Sequence, residues 1–160
     1  MRVAIVAVGR ARNAPESPLI EDYAARIRAG GRSLGFAAFD IIEIEAPKSL
    51  TGDLKRNREG EMLLAAAPAG SRKYALDERG EAMTSAAFAA RLAALRDQGA
   101  PGLAFFIGGA DGLSDDARAG ADKLLAFGPA TWPHMLVRAM LCEQIYRAMT
   151  ILSGHPYHRA

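Results

Sequence analysis

Three scarcities narrow the reading before any motif is considered. The 160 residues hold one cysteine (Cys142), one tryptophan (Trp132) and only three histidines. A lone cysteine rules out an intramolecular disulfide and a thiolate-bound zinc or iron–sulfur centre, so no metal is expected. It also favours a reducing compartment, and the expected location is cytoplasmic. No apolar run reaches the length of a bilayer span, and the apolar opening Met1–Val8 is too short for a signal-peptide core, so no membrane is expected. Charge of either sign is not in excess: the formal net charge is +2. Dedicated nucleic-acid binders usually carry a stronger basic field, so the cluster Lys48, Lys55, Arg56 and Arg58 reads first as a solvated basic face. Both common phosphate-binding signatures, G-x-G-x-x-G and G-x-x-x-x-G-K-[ST], are missing. Internal repeats, low-complexity tracts and linker-like stretches are missing too. Residues 1–160 are read as one domain, long enough to bury a core without covalent staples.

What is present alternates. Half of the residues are hydrophobic and a quarter charged, an ordinary soluble composition. Val3–Val8 is a short, continuous apolar run that reads as a buried strand. Ser17-Pro18 reads as a helix start, and that pattern runs to Gly30-Gly31. Phe39–Glu45 is expected to be a strand with Ile42 and Ile44 on one face, and Thr51–Ala67 a helix stopped by Pro68. Lys73–Leu76 reads as a third strand, closed by a turn at Asp77-Glu78-Arg79-Gly80. A helix capped by Thr84 or Ser85 follows, with Phe88, Leu92 and Leu95 at helical spacing until Gly99. Leu103–Ile107 is apolar throughout and is therefore expected at the sheet centre. Ser114 opens a short helix with Asp115 and Asp116 at its positive end. Leu124–Phe127 is a brief fifth strand, and a last helix runs from Pro133 to about Leu152. Such alternation predicts an α/β fold, a mostly parallel sheet covered by helices on both faces.

Two segments stand apart from this framework. In parallel sheets, ligands bind at the carboxyl ends of the strands, which here are Leu76-Asp77, Gly108-Gly109 and Gly128-Pro129. The run Ile107-Gly108-Gly109-Ala110-Asp111-Gly112 would expose backbone N–H groups there, although taken alone a Gly-Gly-x-x-Gly run is more often only a turn. The second segment is the C-terminus, where all three histidines, His134, His155 and His158, bracket the last helix. That helix carries a core stripe of Val137, Leu141, Ile145, Ala148 and Leu152. Leu136 and Met140 lie on the opposite side, beside Glu143 and Arg147. A helix apolar on two sides needs two partners, and a second subunit is the natural second one.

The ordered set Gly108-Gly109-Ala110-Asp111-Gly112-Leu113-Ser114, Pro133-His134, Leu136-Val137-Arg138, Glu143-Gln144-Ile145-Tyr146-Arg147-Ala148 and His155-Pro156-Tyr157-His158-Arg159 resembles the bacterial ribosomal large-subunit pseudouridine N3-methyltransferases, across essentially the full length. These belong to the SPOUT class, whose chain is tied C-terminally in a deep trefoil knot. The resemblance implies an S-adenosylmethionine-dependent homodimer acting on 23S rRNA in the assembled ribosome. It places the cofactor at Leu76, Gly109, Gly128, Pro129, Ala130, Thr131, Trp132 and Pro133. This chain departs from the family's pattern at Ala110-Asp111, where Pro-Glu is familiar, at Trp132, which replaces a smaller apolar residue, and through Asn13–Ala38.

The chemistry implied is demanding in a specific way. The target is an imide N–H, a poor nucleophile until its proton leaves, so catalysis needs alignment plus a base or donors that stabilise the anion. His158 is the candidate base, since an imidazole titrates near neutrality. Tyr157 would stack on a base or donate a hydrogen bond, and Arg138 or Arg159 would neutralise a phosphate or the developing oxyanion. His134, directly after Pro133, reads as an orienting residue, and Arg138 also as a brace of the dimer. Two competing classes remain: a non-catalytic ribosome-binding factor, and a small nucleotide-binding enzyme with Asp111 as its Mg²⁺ carboxylate.

Overall fold

A computed structural model describes residues 1–159. Five strands, β1 (Arg2–Val8), β2 (Ala38–Ile44), β3 (Ser71–Ala82), β4 (Gly102–Ile107) and β5 (Lys123–Ala126), form one sheet in the order β2-β1-β4-β3-β5. Every pairing between these strands is parallel. Between the strands run α1 (Ser17–Gly31), α2 (Gly52–Ala66), α3 (Ser85–Asp97), α4 (Asp115–Ala119) and finally α5 (His134–Ser153). As its unbroken apolar sequence requires, β4 is the central strand and is buried along all six residues.

Strand alternation sorts the core into two layers. Val3, Ile5, Leu103, Phe105 and Ile107 face one side and pack with Ile20, Ile27, Leu92, Leu141 and Ile145 from α1, α3 and α5. Val6, Val8, Ala104 and Phe106 face the other, against Leu63 of α2 and Leu113 and Ala117 beside and on α4. Ile42 and Ile44 share that second face, as their spacing predicts. No helix among the described residues is long and apolar enough to cross a membrane.

Helix α1 ends at Gly31, as its pattern predicts, and a 3-10 turn over Arg32–Leu34 carries the chain to Gly35 with φ +82°. Two boundaries differ from the sequence expectation, each for a physical reason. Ser17 is the first residue of α1 and not its cap, which is Glu16, because Ser17 Oγ turns toward Glu21 instead. The second difference shapes the site. β3 does not end at Leu76: it pairs with β5 through Leu76, loops out over Asp77–Gly80, and rejoins β5 at Glu81 and Ala82. Leu125 is the partner on both sides of the excursion. A Cβ on Gly80 would collide with the Leu125 backbone, so only glycine lets the loop return there.

Candidate functional site

The glycine turn leaving β4 is closed by Gly112 N–H donating to the Gly109 carbonyl at 3.0 Å. Gly112 takes φ +76°, and a side chain at Gly108 would sit 2.8 Å from the Gly112 carbonyl carbon. Behind the turn, buried Ser114 caps α4 by accepting from Ala117 N–H at 3.1 Å. Gly60 of α2 makes room for that serine, whose hydroxyl fills the place of a Cβ. The turn is thus clamped between α2 and α4.

The β3 excursion supplies a second wall. Arg118 Nε donates to Asp77 Oδ2 at 2.6 Å, and Arg79 N–H donates to Oδ1 at 3.0 Å. Burial pushes the Asp77 carboxyl up, but these hydrogen bonds and the two guanidinium charges outweigh it and hold the group below its usual range. The third wall is the segment from β5 to α5. Gly128 takes φ +87°, Trp132 Nε1 donates to the Phe127 carbonyl at 3.0 Å, and Thr131 Oγ1 donates to Glu78 Oε2 at 2.6 Å, tying this segment to the excursion.

Together the three walls enclose a cavity of about 420 Å³, within the range of small-molecule sites. Of the eight residues the resemblance assigns to the cofactor, Leu76, Gly109, Gly128, Ala130, Thr131 and Trp132 line it, and Pro129 and Pro133 do not. Sequence reasoning places Asp77 at a ligand-binding strand end, Arg79 only in a turn and Arg56 of α2 on a solvated basic face, and it misses Arg118 altogether; all four line the cavity. The pairing of Asp77 with Arg118 spans 41 residues and leaves no local signal. His134, the first residue of α5, also lines the cavity, and its Nε2 lies beside Gly9 at the exit of β1. Burial and then the Arg138 charge lower its pKa, against a weaker pull from Glu16, so the imidazole is biased toward the neutral form.

Arg138, one turn further, is completely buried. Its Nη1 donates to Glu43 Oε1 at 2.6 Å, and its Nη2 to the carbonyls of Val8 and Gly9 at 3.1 and 2.9 Å. Glu43 Oε1 in turn accepts from Ala11 N–H at 2.7 Å. The guanidinium is therefore committed to the ends of β1 and β2. This geometry fits a positioning residue and leaves no open face toward the cavity.

Tyr157 and His158 lie elsewhere. The tail folds back on α5: Tyr157 donates to Glu143 Oε1 at 3.0 Å and accepts from the Tyr23 hydroxyl at 3.0 Å. Burial, then the Tyr23 and Glu143 hydrogen bonds, push its pKa well up. Arg147 Nε donates to Glu143 at 2.9 Å, its guanidinium lies 5.0 Å from the Tyr157 ring centre, and its Nη1 is 3.5 Å from His158 Nδ1. Glu143 and Arg147, on which the tail rests, lie nine and 13 residues beyond His134 along α5, so about 14–20 Å of helix separates this cluster from the cavity. One chain brings together six residues that the resemblance assigns to the cofactor and leaves its Tyr157 and His158 outside that cavity, against the middle of α5. Leu136 and Met140, meanwhile, are half-buried and belong to neither core layer.

A parallel sheet with helices on both faces and a cavity of backbone turns at its strand ends defines a class: α/β enzymes that hold an extended organic co-substrate at the carboxyl edge of the sheet. The chain belongs to the SPOUT methyltransferase family, whose description, "Predicted SPOUT methyltransferase", matches residues 1–158. It is similar over its whole length to proteins named Ribosomal RNA large subunit methyltransferase H. Those of Rhodospirillum centenum and Xanthobacter autotrophicus are 53% and 52% identical, with all of both chains covered. The fold is also that of a methylase family protein from Neisseria gonorrhoeae, with TM-score 0.50 and 15% identity over 91% of this chain and 80% of that one.

Proposed function

We propose that this methyltransferase moves the methyl group of S-adenosylmethionine to N3 of a pseudouridine of 23S rRNA, at the position numbered 1915, in the assembled ribosome. The observation that carries the reading is the coincidence of six resemblance-assigned residues around one cavity built of backbone turns. Identity near one half with full-length large-subunit rRNA methyltransferases supports the substrate class. The chain is read as one unit over residues 1–160, knotted at its C-terminal end.

The residues present fit the donor. Gly108, Gly109 and Gly128 let backbone approach an adenosyl group closely, and the cavity volume suits a ligand of that size. When bound, the donor supplies an electrophilic methyl group on a sulfonium. The chain's own part is to align and to handle one proton. The Asp77–Arg118 pair fixes the excursion, and the Thr131–Glu78 hydrogen bond ties the third wall to it. Arg138 holds the exits of β1 and β2, and through Gly9 the floor on which His134 rests.

His158 is the proposed base for the imide proton, with Tyr157 as a stacking or hydrogen-bonding partner of the target base. Both need a second copy of the chain. Two α5 helices packed antiparallel through Leu136 and Met140 bring one protomer's tail to the other's cavity, which is why the homodimer belongs to this reading. Modest net charge suits a protein that docks on a composite ribosomal surface instead of wrapping RNA alone.

The deciding experiment incubates free subunits and assembled ribosomes lacking the modification with the protein and methyl-labelled S-adenosylmethionine, followed by mass-spectrometric mapping. One methyl on the large-subunit pseudouridine, seen with assembled ribosomes, is the expected result. Tight ribosome binding without label would favour the non-catalytic factor.

A further inference from the structure

α2 buries three residues against the sheet and α4: Glu59, Gly60 and Leu63. The first is out of place on an apolar stripe. Its side chain is 4% exposed, and the nearest cation is Lys55 Nζ at 3.8 Å, beyond hydrogen-bonding distance and itself 40% exposed. The carboxylate packs directly under the glycine turn, with Oε2 3.3 Å and Oε1 3.6 Å from where a Cβ on Gly109 would stand. Gly109 is part of the cavity wall. A buried carboxylate with one distant, half-solvated counter-charge is costly to keep ionised, and an apolar side chain would serve packing better. The arrangement makes sense when a cation arrives from the cavity side.

We propose that Glu59 is a specificity-determining residue for the sulfonium donor: its charge, buried against the glycine turn, makes the cavity prefer the cationic donor over the neutral thioether left after methyl transfer. The inference rests on the reading of the cavity as the S-adenosylmethionine site. Donor and product share every other group, including the amino-acid zwitterion, and differ by one methyl and one positive charge. A fixed negative charge nearby therefore separates them, holding the reactant and releasing the product. Burial and two charged groups set how much negative charge is present. Burial raises the Glu59 pKa, Lys55 on the same helix lowers it, and Asp111 across the turn raises it. Arg56, on the same helix, lines the cavity with a buried Nε that has no partner. Donor binding pulls Glu59 toward its ionised form, so any proton it carries leaves to solvent, whereas product binding leaves it in place.

The test is titration calorimetry of the full-length protein with S-adenosylmethionine and with S-adenosylhomocysteine, from about pH 5 to about pH 8, in buffers of different ionisation enthalpy. In the wild type, the donor-to-product affinity ratio falls as pH falls, and at low pH proton release accompanies donor binding alone. Glu59→Gln keeps the product affinity, lowers the ratio roughly tenfold at neutral pH and flattens its pH dependence. Lys55→Met retains the carboxylate and shifts the fall of the ratio to higher pH, which keeps the proposal open to refutation if Glu59→Gln does not fold. An unchanged ratio in Glu59→Gln, or a flat ratio in both wild type and Lys55→Met, overturns the proposal while leaving the donor site intact. Failure of the wild type to bind either ligand removes the donor-site reading itself, and the proposal with it.

Discussion

Asp77 shows how a single side chain couples the cavity to pH. Its carboxyl is held below the ordinary range, so its pairing stabilises the fold fully above the unfolded-state value of about 3.9. That contribution is lost as pH falls through the lower, folded-state value. Chemical denaturation from neutral pH into that acid range should therefore show a drop in stability that Asp77→Asn lacks. Arg118→Met leaves the carboxylate buried without its main partner and should cost roughly 3 kcal/mol at neutral pH, read from the urea midpoint. Cys142 illustrates the opposite kind of isolation. Burial pushes its thiol up to about 12, so a thiol-reactive dye should label the native protein negligibly and the urea-unfolded protein at once. Labelling of the folded chain at rates near those of free cysteine would contradict the packing around α5. Residue identities of this kind were the least legible in the sequence. Arg138 reads as a catalytic charge or a brace of the dimer because Glu43, its partner, lies 95 positions away, and no local pattern marks such a pair.

Elements were read more faithfully than their interruptions. β4 announces itself because six consecutive buried positions demand six apolar residues, and the Thr84 and Ser114 caps follow from side chains that accept the first free N–H groups. β3 misleads because Asp77-Glu78-Arg79-Gly80 has turn chemistry and does turn, yet the strand resumes beyond it. Only the pairing with β5, a tertiary event, reveals that. Glycines separate the two situations sharply. Gly80→Ala drives a methyl group into backbone and should cost more than about 3 kcal/mol, lowering the melting temperature by on the order of 10 °C. Gly30→Ala meets nothing within 4 Å in the last turns of α1 and should instead stabilise by about 0.5–1 kcal/mol. Scanning calorimetry on the two variants checks both signs.

At the scale of the molecule, the cavity gathers at the start of α5 while the tail docks on its middle, at Glu143 and Arg147, a separation that sequence order alone conceals. Motif resemblance places them in one site. Tyr157 and His158 do not line the cavity of their own chain, and a second copy is the proposed way to unite the two. Leu136→Glu with Met140→Glu should shift the protein to monomer in sedimentation experiments and abolish rRNA methylation, while donor binding by each monomer persists. Mixed dimers of a His158→Ala chain and a chain with a ruined cavity should regain part of the activity, because one complete composite site is rebuilt. Restored methylation by the monomeric variant alone would count against the composite site.

Trp132 gives the cavity its own reporter. It is the only tryptophan in the chain, stands on the cavity wall at 42% exposure, and is tethered by its indole N–H to the Phe127 carbonyl. Its ultraviolet emission therefore comes from one place and one environment. A ligand filling the cavity strips water from the indole face, shifting the emission to shorter wavelength, and a stopped-flow trace of that shift times arrival and departure without any label. An emission spectrum unmoved by saturating S-adenosylmethionine would place the ligand elsewhere. The chain is thus optically self-reporting at the point where its chemistry is expected.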